Sequence, residues 1–272
     1  MNQQNLHLTE HHPDADESIL FLHGGNVAGW SWTEEAEALP DHHSLVPDLP
    51  GFGGSARHPW IDLSTTADEL ADLVRERAHG GTAHVVGLSL GGVVGTALAA
   101  RHPDLVRSVF VTGAILRGVR GFERWAGLAQ IPLWSSPGYW RTMARAFRLP
   151  PDATDIFVTT GLGIDRDSIR RMTPQLYDGV PAGDLDGLRR LTAPMLAMAG
   201  EKESRTIRGA MDEVTSRVPH AAARLAPGMH HVWNVEDPDL FHATLTHWLT
   251  TGESSPALLP VGPHEEGTPA AR

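Results

Sequence analysis

Ser89 stands in Gly87-Leu88-Ser89-Leu90-Gly91, with a glycine two residues away on either side. A free serine hydroxyl is a poor nucleophile at neutral pH. It needs an imidazole to take its proton and a carboxylate to orient that imidazole and stabilise it when charged. Val85-Val86 leads into the serine as an apolar strand, and residues 93–100 continue at helical spacing, so Ser89 falls on a sharp strand-to-helix turn. Glycine at 87 and 91 removes the β-carbons that would collide as the helix folds back past the strand. Glycine and serine are common in turns, so the pattern carries chemistry only if a base, an acid and oxyanion donors lie elsewhere at suitable places.

The elements that must position them follow from the hydrophobic pattern. Strands are expected over 6–8, 18–22, 44–49, 84–87, 105–112, 194–200 and 222–225, and helices over 30–39, from 64 onward, after Ser89, over 207–218 and over 238–248. The helix beginning near 64 has N-cap hydroxyls at 64–66, with Thr66 and Glu69 fitting a capping box. Strand and helix alternate up to residue 113, which specifies a mostly parallel, doubly wound α/β sheet covered by helices on both faces. From about 115 to 191 the alternation breaks into short amphipathic stretches carrying Trp125, Trp134 and Trp140, which either cover an apolar pocket or hold short helices together. The chain thus divides into one α/β domain over 1–250, with its core at about 1–114 and 192–250 and a helical lid at about 115–191. The proline- and glycine-containing tail 251–272 is expected to be disordered.

In an open parallel sheet, chemistry gathers at the carboxyl ends of the strands. Three such ends carry suitable residues in addition to Ser89: His23-Gly24-Gly25-Asn26, Gly200-Glu201-Lys202-Glu203, and His230-His231-Val232-Trp233-Asn234. Nucleophile, acid and base occur in that chain order, with Glu201 or Glu203 as the acid and His230 or His231 as the base.

With these pieces, together with Asp48-Leu49-Pro50-Gly51-Phe52-Gly53-Gly54-Ser55 and Glu236-Asp237-Pro238, the sequence resembles the α/β-hydrolase family up to about residue 250. The resemblance implies Ser89 as nucleophile, His231 as general base and the backbone amides of Gly25 and Leu90 as the oxyanion hole. It places the acid at Glu203, where the family most often has aspartate, with Glu201 as the fallback. His230 stands where a glycine usually precedes the catalytic histidine, and the distance to Glu236 and Pro238 selects His231. His23 is expected to hold the oxyanion loop through backbone hydrogen bonds, and Asn26, Trp30 and Trp233 to line the substrate pocket.

Composition narrows the function further. The net charge of −11 argues against a nucleic-acid or anionic-membrane partner. No apolar run approaches the ~18–20 residues that span a membrane, and residues 1–10 lack the pattern of a secretory signal, so a cytoplasmic protein is expected. There is no cysteine, which excludes disulfides and thiolate chemistry. Lys202 is the only lysine and lies outside any phosphate-binding loop. The pairs His11-His12 and His42-His43 lack the companions of a metal site, and no cofactor is expected. The expected activity is a cofactor-independent serine hydrolase that cleaves a small ester, lactone or thioester with an apolar part through an acyl-enzyme. Carbon–carbon bond hydrolysis, a lyase or cyclase on the same site, or a ligand-binding receptor that keeps the triad are the alternatives. Haloalkane dehalogenase and epoxide hydrolase chemistry are disfavoured because their nucleophile would be an aspartate at 89.

Overall fold

The computed structural model describes residues 6–261. Among them, eight strands form one sheet in the order β1-β3-β2-β4-β5-β6-β7-β8. These are β1 (Leu8–His11), β2 (Glu17–Leu22), β3 (His42–Pro47), β4 (Ala83–Leu88), β5 (Val106–Thr112), β6 (Met195–Gly200), β7 (Ala221–Ala226) and β8 (Leu259–Pro260). β1 and β8 run antiparallel on the two edges, and every other pairing is parallel. Buried on both faces, the central strands are mostly apolar rather than alternating; all six residues of β4 are buried, His84 among them.

Successive side chains of each strand enter opposite layers. Leu20, Leu22, Val85 and Val109 pack with α2 (Leu63–Arg77) and α3 (Leu90–Arg101). Ile19, Phe21, Val86 and Phe110 face the other way, toward the short α1 (Thr33–Glu37) and the C-terminal helix. α3 is buried all round, from Leu90 to Ala100, because the segment between β5 and β6 covers the face that α2 and the sheet leave open. That segment holds five helices: α4 (Gly121–Ala129), α5 (Pro137–Ala146), α6 (Pro151–Gly163), α7 (Arg166–Asp178) and α8 (Ala182–Gly187).

Several boundaries differ from those the pattern predicts, each for a local reason. The 30–39 stretch is a 3-10 turn (Gly29–Trp32) followed by α1. α2 is capped by Asp62, whose carboxylate accepts from the Thr65 amide at 2.7 Å, and Glu69 pairs with His58 instead of closing a capping box. The 207–218 stretch breaks at Met211 into α9 (Arg205–Ala210) and α10 (Asp212–Thr215). After α11 (Trp233–Glu236), α12 (Pro238–Thr251) runs on to a left-handed cap at Gly252. The tail boundary at 251 is corrected as far as residue 261: Leu258 is buried and Leu259 pairs with Leu225, since an apolar pair completes the β7 edge. The remaining tail, 262–272, lies outside the described residues.

The chain steps outward from β2 to β3 on one side, then returns to lay β4 against β2 and build the rest of the sheet on the other. The loops after β2 and β4 therefore leave the sheet side by side, which opens a crevice at its carboxyl end.

Candidate active site

Ser89 follows β4 directly, with φ 55° and ψ −113°, a conformation that costs a non-glycine residue on the order of 1–3 kcal/mol. Neighbours hold it there: its amide donates to the Thr112 carbonyl at 2.9 Å, and its carbonyl accepts from Val93 at 3.1 Å. A β-carbon on Gly91 would run into the Leu22 carbonyl oxygen, and one on Gly87 into the carbonyl of Gly91. Both glycines are thus required by close backbone approach. Leu90, as the first residue of α3, presents one of the first-turn amides that a helix leaves without an internal partner.

The loop after β6 carries the carboxylate and the loop after β7 the imidazole. Backbone bonds stitch the two together, from Glu201 to the Ala226 carbonyl and from Lys202 to that of Met229, each 2.9 Å. Glu203 is buried. Its Oε1 lies 2.5 Å from His231 Nδ1, and its Oε2 accepts from the Gly200 amide at 2.8 Å. A carboxylate accepts only, so His231 carries its proton on Nδ1 and leaves Nε2 as an acceptor. Glu201 is elsewhere, with Oε2 taking the Gly228 amide at 2.7 Å, so between the two candidate acids only Glu203 reaches the histidine. His230 turns away to Glu236, Nδ1 to Oε1 at 2.9 Å.

His23 is fully buried, donates from Nδ1 to the Gly24 carbonyl at 2.8 Å and accepts the Leu49 amide on Nε2 at 2.9 Å. Desolvation holds its pKa below the ordinary range, so the ring stays neutral and ties the Gly24-Gly25 loop to the end of β3. Asp48 fixes the neighbouring turn by accepting from Gly29 at 2.6 Å and Gly54 at 2.7 Å.

A cavity of about 260 Å³ opens between the sheet and the helical segment, and Gly25, Asn26, Trp30, Ser89 and His231 all line it. Trp30 also donates from Nε1 to Thr160 of α6 at 3.0 Å. Trp233 does not reach the cavity, which corrects its expected role. Its indole is fully buried in the opposite layer, stacked edge-on against Phe241 and donating to Thr112 Oγ1 at 2.8 Å, while its neighbours Val232 and Asn234 take the lining positions. The aromatic cover is also other than the tryptophans suggest. Phe147 and Phe157 line the cavity, and Phe147 lies over the His231 ring at 6.2 Å between centroids. Trp140 packs behind Phe157, Trp134 packs against Trp140, and Trp125 is exposed beside Phe122.

Sequence reasoning missed one polar pair on the cavity wall. Glu35 lines it and accepts from Asn234 Nδ2 at 3.0 Å. Burial pushes the Glu35 carboxyl up to about 7, against the Asn234 hydrogen bond, which pulls it down. Trp30, Ser31, Glu34 and Glu35 recur at helical spacing, which was the available sign that the acidic residues share the face of Trp30.

Among the described residues no helix is long and apolar enough to cross a membrane. The chain matches the family model described as alpha/beta hydrolase fold over residues 17–162. It is 30% identical over 267 residues to an AB hydrolase superfamily protein of Gibberella zeae, covering 93% of this chain and 86% of that one. It is 31% identical over 238 residues to a pimeloyl-[acyl-carrier protein] methyl ester esterase of Chromobacterium violaceum, covering 83% and 87% of the two chains. Among solved structures, the enol-lactonase of Burkholderia xenovorans superposes with a TM-score of 0.75 over 90% of this chain and 96% of its own, at 19% identity. With a parallel sheet of this order beneath the cavity, and relatives that span nearly its whole length, the chain belongs to the alpha/beta-hydrolase family of enzymes.

Proposed function

We propose that the protein is a serine hydrolase that cleaves a small ester, lactone or thioester through an acyl-enzyme. The observation that carries this reading is the buried Glu203 carboxylate at 2.5 Å from His231, whose ring lines the same cavity as the strained Ser89. In this reading His231 Nε2 takes the Ser89 proton as Oγ attacks the carbonyl carbon. Glu203 keeps the ring in the required tautomer and stabilises it once charged. The amides of Gly25 and Leu90 hold the oxyanion, each worth ~3–4 kcal/mol in such sites. His231 then protonates the leaving group, water enters, and the same base activates it to release the acid. Protein groups and water supply every step.

Phe147, Leu149, Pro150 and Phe157 give the cavity an apolar wall suited to an apolar acyl or alcohol part, and the helical segment that carries them acts as the lid. The esterase and lactonase names among the similar proteins agree with this class of substrate. The test is labelling with a fluorophosphonate, mapping of the modified residue, and assay against short-chain aryl esters. Label on Ser89 and steady ester hydrolysis, both lost in Ser89→Ala, are expected. Label on another residue, or equal hydrolysis by wild type and Ser89→Ala, would overturn the reading.

A further inference from the structure

Two cavities meet at one side chain. The cavity that holds Ser89 and His231 is bounded on one side by the 3-10 turn Gly29–Trp32. A second cavity, of about 280 Å³, lies behind that turn against Thr9 of β1, Val46 of β3 and Asp48. Ser31 faces the first cavity, Ala28 and Gly29 face the second, and of the residues that line either, only Trp30 lines both. α6 crosses the same boundary. Its residues Ala153, Phe157 and Thr160 follow at i, i+4 and i+7 along one face, the first two on the active-site cavity and Thr160 on the second. The bond from Trp30 Nε1 to Thr160 Oγ1 at 3.0 Å therefore holds the indole against the far wall. The start of the turn is fixed as well, by the Gly29 amide on the Asp48 carboxylate at 2.6 Å. A ring with open space on two sides forgoes contacts that a core indole keeps, so packing alone does not explain its position. Separating the two spaces does.

From this geometry we propose that the Trp30 indole is the partition between the two cavities, and that it sets the length of substrate arm, acyl or alcohol, that the active-site cavity accepts. The proposal rests on the hydrolase reading for the word substrate, while the partition rests on the two cavities and the bond to Thr160. An arm that outgrows the first cavity meets the indole, and the space beyond is closed to it. With the indole removed, the two volumes become continuous and a longer arm runs into the second. The far walls are polar, with Thr9, Thr33 and a His7–Asp48 pair at 3.1 Å, so an apolar arm tipped with a hydroxyl suits the joined space.

Affinity separates this proposal from catalysis. In Ser89→Ala, which holds an ester without turning it over, titration calorimetry reads two series of hydroxyl-tipped esters, one of increasing acyl length and one of increasing alcohol length. In at least one series, affinity is expected to rise with length to a limit and then fall. Adding Trp30→Ala moves that limit to longer arms, so that esters just past it bind ~10-fold tighter, about two buried methylenes' worth. Trp30→Leu, which keeps an apolar side chain against the core, moves the limit the same way by less and serves where thermal melting shows that Trp30→Ala does not fold. Adding Thr9→Phe to Trp30→Ala fills the second cavity from its exposed strand and restores the original limit. No limit in either series, a limit that stays in place in folded Trp30→Ala and Trp30→Leu, or a moved limit that Thr9→Phe leaves moved would each overturn the partition. The last result would mean that the arm gained only the space of the indole itself. Failure of the hydrolase reading shows itself separately, as absent turnover and an unlabelled Ser89 in the wild type.

Discussion

Two adjacent histidines in the loop after β7 each meet a glutamate, and only one of them faces the cavity. His231 bonds Glu203 at 2.5 Å, a carboxylate whose side chain is 3% exposed, and its ring shares the cavity with Ser89. His230 bonds Glu236 at 2.9 Å, in a more open setting that Arg148 joins through Glu236 at 2.8 Å. Burial acts to raise the Glu236 carboxyl, but the His230 amide and ring together with Arg148 outweigh it and hold the group below its usual range. Under the proposed function, an imidazole–carboxylate contact is not by itself a catalytic pair. Burial excludes the water that would weaken the Glu203–His231 bond, and the cavity supplies something for the other ring nitrogen to act on. The second pair instead ties Arg148, between α5 and α6, to the histidine loop.

The largest effect that can break this comparison is on the proposed base. His231→Ala and Ser89→Ala should each lower kcat for an aryl ester by ~10⁴–10⁶-fold, as removal of a triad member does elsewhere. His230→Ala should stay within ~5-fold, because its ring holds Glu236 and does not line the cavity that Ser89 shares. A His230→Ala loss as deep as that of His231→Ala would reverse the assignment. Next come the acids. Glu203→Gln should cost ~10²–10⁴-fold through loss of the ring's tautomer and charge partner, while Glu201→Gln, which touches only the Gly228 amide, should cost less than ~3-fold.

A third carboxylate sharpens the point, because it has an amide for a partner and no imidazole. Glu35 titrates at about 7 against an ordinary 4.5, burial being the main cause. A raised acid holds its proton more tightly in the folded than in the unfolded chain. Its contribution is therefore present in full below pH 4.5 and is lost as the pH rises to about 7. Denaturant titrations of Glu35→Gln should lack this decline and exceed the wild type by on the order of 2–3 kcal/mol above pH 7, relative to their difference at pH 4. Parallel stability curves would show that Glu35 ionises without penalty. The smallest effect belongs to the exposed pair: Arg148→Ala should lower stability by ~0.5 kcal/mol or less, measured by thermal melting, since Arg148 is largely exposed.

Legibility followed locality. The turn at Ser89 and the strand ends were readable because each depends on a few consecutive residues and on the hydrophobic period of 2 or 3.6. Trp233 was misplaced because the loop after His231 enters a helical turn, in which successive residues point in different directions around the axis, so Trp233 faces the opposite core while Val232, Asn234 and Val235 face the cavity. The cap at Asp62 was missed because hydroxyls at 64–66 satisfied the same local rule two residues later.

What the sequence determined by itself was a parallel α/β sheet and a small set of candidates at its strand ends, with Glu203 and His231 preferred to Glu201 and His230. Only the tertiary structure shows which carboxylate meets which imidazole. Glu201 and Glu203 lie two residues apart on one loop, and which of them meets an imidazole depends on backbone bonds to a segment about 25 residues away, from Glu201 to Ala226 and from Lys202 to Met229. Glu35 and Asn234 lie 199 residues apart, and nothing local to either records the other. Pairing across such separations is a property of packed elements, which is why the chemistry of the cavity wall is absent from every short stretch of the chain.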